Sequence, residues 1–95
     1  MSGDSTTRVR IRIRGKVQGV SFRYCAQQQA VHLGLAGWVR NCPDGAVEAA
    51  AQGDAGAVEQ FVAWARQGTS GADVDDVTVE RLEPQHNERE FRIVH

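Results

Sequence analysis

Residues 8 to 33 read RVRIRIR (8–14), GKVQGVS (15–21) and FRYCAQQQAVHL (22–33), three pieces with three different periods. In the first, Val9, Ile11 and Ile13 alternate strictly with Arg8, Arg10, Arg12 and Arg14. That period of two predicts a half-buried strand with its arginines on a solvated face. In the third, Phe22, Cys25, Ala26, Gln29, Ala30 and Leu33 recur at helical spacing, giving a stripe able to cover a sheet. Between them lies a loop from Gly15 to Val20, bracketed by Gly15 and Gly19, with Ser21 as the expected N-cap. Strand, glycine loop and helix follow one another with no spare residues.

The rest of the chain extends the pattern. Gly34 is placed to close the first helix. A second strand is expected at about residues 35–42 and a turn at Pro43-Asp44-Gly45, followed by a hairpin partner at 46–52 despite its alanines. Asp54 is expected to cap a second helix whose buried stripe is Val58, Phe61, Val62 and Ala65, with Gly68 at its end. Residues 68–73 read as a loop, 74–82 as a strand, 84–89 as a polar connection and 91–94 as a short last strand. The order is therefore β-α-β-β-α-β plus one short strand. This is the ferredoxin-like split arrangement, an α+β sandwich with a mostly antiparallel sheet and two helices on one face. Residues 1–7 are expected to be a disordered tail and 8–95 a single domain.

Bulk properties narrow the function. With 41% apolar and 24% charged residues, the 95-residue chain has the composition of an ordinary globular domain. The polar start MSGDSTTR and the lack of a long apolar run point to a cytoplasmic protein without membrane attachment. The net charge of −1 is unevenly spread. Before Pro43 the basic residues Arg8, Arg10, Arg12, Arg14, Lys16, Arg23 and Arg40 face the single acid Asp4; acids dominate from Asp44 onward. Such asymmetry favours a small anionic ligand near the first half over a long polyanion. Cys25 and Cys42 form no CxxC motif and are expected to be reduced thiols. His32, His86 and His95 lack ligand spacing, the acids Asp73, Asp75 and Asp76 lack calcium-loop spacing, and no nucleophile–base pairing stands out.

Three features could carry chemistry. The loop is either a tight turn or a nest of backbone N–H groups that converge on an anion. Arg23 stands at a helix opening, where partial positive charge disfavours a cation and attracts an anion. It is either a surface arginine or a phosphate clamp, since a guanidinium grips two oxygens at once. Asn41, just before the turn, is either a turn former or a carboxamide that holds a water. Trp38 and Trp64 read as packing groups.

Taken together, GKVQGVSFR, LGLAGWVRN and PDGAVE resemble the acylphosphatase family in order and separation, over about residues 8–95. The resemblance implies a ferredoxin-like enzyme that hydrolyses the carboxyl–phosphate bond of acyl phosphates without a metal or other cofactor. It implies that Arg23 binds the phosphate together with the loop formed by Gly15, Lys16, Val17, Gln18, Gly19 and Val20, whose backbone N–H groups meet the same oxygens. Asn41 then positions the attacking water. The expected ligands are a small-molecule acyl phosphate and inorganic phosphate, as product and competitor, for a monomer that takes no nucleic acid. The sequence departs from the family after the second helix, where Gly-Pro is common and Gly68-Thr69-Ser70-Gly71 stands instead. A rival reading is an RNA-binding module that uses the basic open face of the same fold, although its first strand lacks stacking aromatics. A carbamoyl-phosphate-handling domain also resembles this family, but it normally sits in a much longer chain.

Overall fold

The computed structural model describes residues 6–94. Its elements are β1 (Thr6–Lys16), α1 (Phe22–His32), β2 (Ala36–Asn41), β3 (Val47–Asp54), α2 (Ala55–Gln67), β4 (Asp73–Leu82) and β5 (Phe91–Ile93). The expected ferredoxin-like order is observed. The strands lie in the order β4-β1-β3-β2-β5, antiparallel throughout except for the parallel pair β2–β5. Of the expected tail, residues 1–5 lie outside the described residues. Thr6 and Thr7 already belong to β1, opposite Asp54 and Gly53, so the strand starts earlier than the alternation alone suggests.

Both helices cover the face that carries Val9, Ile11 and Ile13 of β1, with Val39, Val47, Ala49, Ala51, Val77 and Phe91 from the other strands. Against these pack Phe22, Ala26 and Ala30 of α1 and Val58, Phe61 and Ala65 of α2. Each fully buried phenylalanine contributes about 1.5–3 kcal/mol relative to exposure. Phe61 contacts Trp64 (6.0 Å between ring centroids) and Phe91 (5.7 Å), and Trp64 reaches Phe22 at 5.2 Å, so the rings tie α2 to α1 and β5. The alanines of β3, weak strand formers in isolation, are explained by position. β3 is the middle strand, and Ala49, Ala50 and Ala51 are at most 1% exposed. Small side chains there let both layers approach, and packing overrides intrinsic preference.

Helix ends follow the sequence signals with one exception. α1 closes with the Leu35 N–H on the Ala30 carbonyl (2.9 Å) and the Gly34 N–H on that of Val31 (3.0 Å). Asp54 caps α2, its Oδ2 accepting from the Gly56 N–H at 3.1 Å. Ser21 differs. It precedes α1 in the left-handed conformation (φ 62°, ψ 24°), and its side chain makes no capping hydrogen bond. A serine cap needs extended backbone to aim its hydroxyl at the first-turn N–H groups. The sharp entry from the loop denies it that geometry.

Of the β1 arginines, Arg8, Arg10 and Arg12 are engaged within the molecule, and Arg14 is exposed. Arg10 pairs with Glu80 (2.5 Å) and approaches Glu48 (3.9 Å); Arg12 pairs with Asp44; Arg40 of β2 pairs with Glu48 (2.6 Å). Arg40 also lies over the Trp38 ring, 5.6 Å from its centroid, so this tryptophan is engaged within the molecule. Arg8, expected in solvent, is 3% exposed. It donates to Gln52 Oε1 (3.3 Å), and Gln52 exchanges hydrogen bonds with the backbone of Gln85, so the β4–β5 connection covers it. The acids that the sequence places in the second half return across the sheet to the basic first half.

Gly37 of β2 shows how tightly the strands meet. It is buried at φ 145°, and a Cβ there would lie 1.9 Å from the Ala50 carbonyl oxygen. Gly37→Ala is expected to destabilise the fold by about 3 kcal/mol or more, read as a lowered urea midpoint at unchanged slope. An unchanged midpoint would refute this account of the β2–β3 contact.

Candidate active site

The site begins where β1 ends. Between Arg14 and Gly15 the β1–β4 register shifts, so that Gly15 faces Val74 and Lys16 faces Asp73. Gly15 adopts φ 131°, and a Cβ on it would fall 2.1 Å from the Asp73 carbonyl oxygen. Only glycine allows β4 to come this close while the chain turns away. Val17 then anchors the loop in the core at 1% exposure, and Val20 packs against the same cluster. Gly19 is exposed with φ 80°, and Ser21 makes the left-handed step into α1.

Next to this loop the sheet supplies Asn41 and Ile93. On β2, Val39 is fully buried against the helices; Asn41, two residues on, points to the same side. Ile93 pairs with Val39 in the parallel register, so the short β5 brings it to the same corner. A cavity of about 180 Å³ opens there, lined by Val17, Gly19, Ser21, Phe22, Arg23, Tyr24, Asn41 and Ile93. Arg23 and Asn41, remote in sequence, thus face one small space. The size suits a small polar group more than a drug-sized ligand, which takes 300 Å³ or more on the usual order-of-magnitude scale.

The structure sorts the other residues expected at the site. Val17 and Gly19 line the cavity, whereas Gly15, Lys16, Gln18 and Val20 do not. Gly15 and Lys16 belong to the irregular β1–β4 pairing, and Lys16 is exposed. Gln18 turns to the β2–β3 hairpin, where its Nε2 donates to the carbonyls of Cys42 and Ala46, both at 2.8 Å. Ser21, Phe22, Tyr24 and Ile93 were not anticipated as lining residues. For Ser21, Phe22 and Tyr24 the signal was adjacency to Arg23. Ile93 had none, because its place depends on strand pairing.

Arg23 differs from the paired arginines of the open face, although the exposed Arg14 of β1 likewise forms no ion pair among the described residues. Among the described residues Arg23 forms no ion pair, whereas Arg10, Arg12 and Arg40 each have a carboxylate. The first turn of α1 contains no acid. Guanidinium, helix opening and loop therefore present positive potential to the cavity, a setting that favours an oxyanion. Beyond Asn41, the hairpin turn is held by the Cys42 N–H on the Ala46 carbonyl (2.8 Å) and by Asp44 Oδ1, which accepts from the Ala46 N–H (3.1 Å). That backbone N–H, and then Arg12, hold the Asp44 carboxyl below its ordinary range, while Asp44 and Glu48 raise Arg12 and Arg40 respectively. Cys25 and Cys42 are unbridged, and Arg12 Nη1 lies 3.6 Å from the Cys42 Sγ. Among the described residues no group of three or more His, Cys, Asp or Glu is placed to hold a metal, and no helix is long and apolar enough to cross a membrane.

Comparison with known proteins identifies the family. The acylphosphatase family model matches residues 9–93. An acylphosphatase of Rubrobacter xylanophilus is 45% identical over 92 residues, covering 97% of this chain and 84% of that protein. One from Aeropyrum pernix is 49% identical over 92 residues, covering 95% and 90%. The crystal structure of acylphosphatase from Bacillus subtilis superposes with a TM-score of 0.90 at 38% identity, over 94% of this chain and 99% of that one. The chain belongs to the acylphosphatase family, and its activity is the hydrolysis of small-molecule acyl phosphates.

The depressed Asp44 carboxyl sets a pH dependence. Its folded-state pKa is lowered, so its contribution is complete above about pH 4, the ordinary unfolded range, and is lost as pH falls through the lower folded value. Asp44→Asn is expected to flatten the acid limb of the stability profile below about pH 4 relative to the parent protein, in urea midpoints taken from pH 2 to 7. Parallel acid limbs would show that the turn gains nothing from the charge.

Proposed function

We propose that the cavity at the β1–α1 joint is the catalytic site and that its residues divide the reaction between them. The observation that carries this reading is that Arg23, which forms no ion pair among the described residues, lines one small cavity with Asn41. The phosphoryl group of the substrate occupies the loop 15–20, its oxygens taken by the Arg23 guanidinium and by backbone N–H groups of the loop. Gly15, Lys16, Gln18 and Val20 serve through backbone and loop shape; Val17 and Gly19 are on the cavity wall. Asn41 orients a water by accepting one of its hydrogens or donating to its oxygen.

The oxygen of that water attacks phosphorus in line as the bond from phosphorus to the acyl oxygen breaks. The carboxylate leaves with the bonding pair, and the water's proton passes to a phosphoryl oxygen. A carboxylate is a good leaving group, so no strong general acid is required. Catalysis rests on positioning and on stabilising charge over the phosphoryl oxygens. The products are a carboxylate and inorganic phosphate, which competes for the same site. No metal or cofactor enters this scheme. We further propose that residues 8–95 act as one domain, that the protein is a cytoplasmic monomer, and that it takes no nucleic acid. Against the RNA-binding alternative stands the pairing of Arg10, Arg12 and Arg40 with carboxylates, which leaves Arg14 as the exposed β1 arginine without an ion pair among the described residues.

The division of labour is tested with benzoyl phosphate turnover and inorganic phosphate as competitor. Arg23→Gln should lose both turnover and phosphate affinity. Asn41→Ala should lose about 3–4 kcal/mol of transition-state stabilisation, a few hundredfold in kcat, with phosphate affinity retained. Equal loss of phosphate affinity in both variants would end the assignment of separate roles. Treatment with EDTA should leave hydrolysis intact; inhibition that added magnesium reverses would overturn the metal-free scheme.

A further inference from the structure

Gln18 sits in the loop assigned to phosphate, yet its side chain does not line the cavity. It is half-buried, and its single Nε2 donates to two backbone carbonyls, Cys42 O and Ala46 O, each at 2.8 Å. A carboxamide nitrogen has two hydrogens, so both are used; two oxygen acceptors also settle which way the amide faces. These carbonyls close the β2–β3 turn. Ala46 O also accepts from the Cys42 N–H, and Cys42 O accepts from the Gly45 N–H at 3.1 Å. Asn41 is the residue immediately before Cys42. One nitrogen therefore bolts the loop beside Arg23 to the root of the hairpin that carries Asn41.

We propose that Gln18 is a positioning residue: its carboxamide sets the geometry between the phosphoryl group held by the loop and the water held by Asn41. The inference rests on the roles assigned above to the loop and Asn41. In-line attack needs reacting atoms about 3–3.5 Å apart and aligned, and a misplacement of about 1 Å can cost about a hundredfold in rate. Loop and hairpin are different segments, each held to the core by its own contacts. Without the Gln18 bridge, each half keeps its own ligand and the two lose their common frame. The loss falls on turnover and depends on Asn41 being present.

A double-mutant cycle between Gln18→Met and Asn41→Ala tests this. Methionine keeps the length and apolar stem of glutamine but donates nothing. In the parent protein Gln18→Met should lower kcat for benzoyl phosphate about tenfold or more, with the inhibition constant of inorganic phosphate within about twofold. In the Asn41→Ala background the same change should lower kcat by less than about twofold. An equal fall in both backgrounds would overturn the proposal, as would a loss of phosphate affinity that matches the loss of turnover. Urea midpoints show whether each variant folds. If the methionine variant does not, Gln18→Asn, which keeps the amide one methylene short, carries the same comparison. Asn41→Ala turning over at the parent rate would remove the Asn41 assignment and this one with it. That outcome is read from the single variant alone, so the two failures are distinguishable.

Discussion

Strand β1 is hydrogen-bonded along both edges, to β3 on one side and β4 on the other, and its alternate side chains are sealed under two helices. A strand held this way cannot slip, because a shift of one residue would bring arginines into the core and isoleucines into water. The turn at Gly15 therefore happens at a fixed place. From there Val17 reaches back into the core, and only a few residues remain before Phe22 must be buried in turn. The loop has little freedom left. Its shape follows from two anchored ends and from a glycine pressed against the Asp73 carbonyl.

The same strand explains how charge is distributed. Arg10 and Arg12 project from the face opposite the helices, where Glu48 of β3, Glu80 of β4 and Asp44 of the turn before β3 come within reach. Exposed ion pairs of this kind add little stability, each at most about 1 kcal/mol. Their consequence is electrostatic. On the open sheet face Arg10, Arg12 and Arg40 are offset by carboxylates, while at the end of β1 Arg23 keeps a guanidinium that meets no carboxylate among the described residues. An anion that approaches the molecule meets net attraction at the cavity, where Arg23, the α1 opening and the loop coincide.

Much of the architecture was legible from local pattern. The alternation from Arg8 to Arg14, the helical stripe from Phe22, the turn at Pro43-Asp44-Gly45 and the Asp54 cap each appear where their chemistry predicts. Three readings from the same rules did not hold. Arg8 is buried because the connection after β4 folds over it, and no local signal reports on a segment so far along the chain. Ser21 does not cap its helix because the loop before it arrives in the left-handed conformation, a matter of chain geometry more than residue type. The basic face is not free because Arg10 meets Glu80 of β4 and Arg12 meets Asp44 of the hairpin turn, and neither contact between remote segments has a local signal.

At the site the same division appears. Arg23 and Asn41 were recognisable from the sequence, the first by its placement against a helix dipole and both by the resemblance of their motifs to a known family. Residue types, periods and spacings determined the elements, and the resemblance of the motifs to a known family supplied the family and the roles of those two candidates. Tertiary structure alone decided that the two residues face one cavity, that Ile93 joins them, and that Gln18 reaches the hairpin instead of the cavity. Those facts depend on which strands pair and on what the core admits. Contacts between remote segments are settled by the packing of the whole chain.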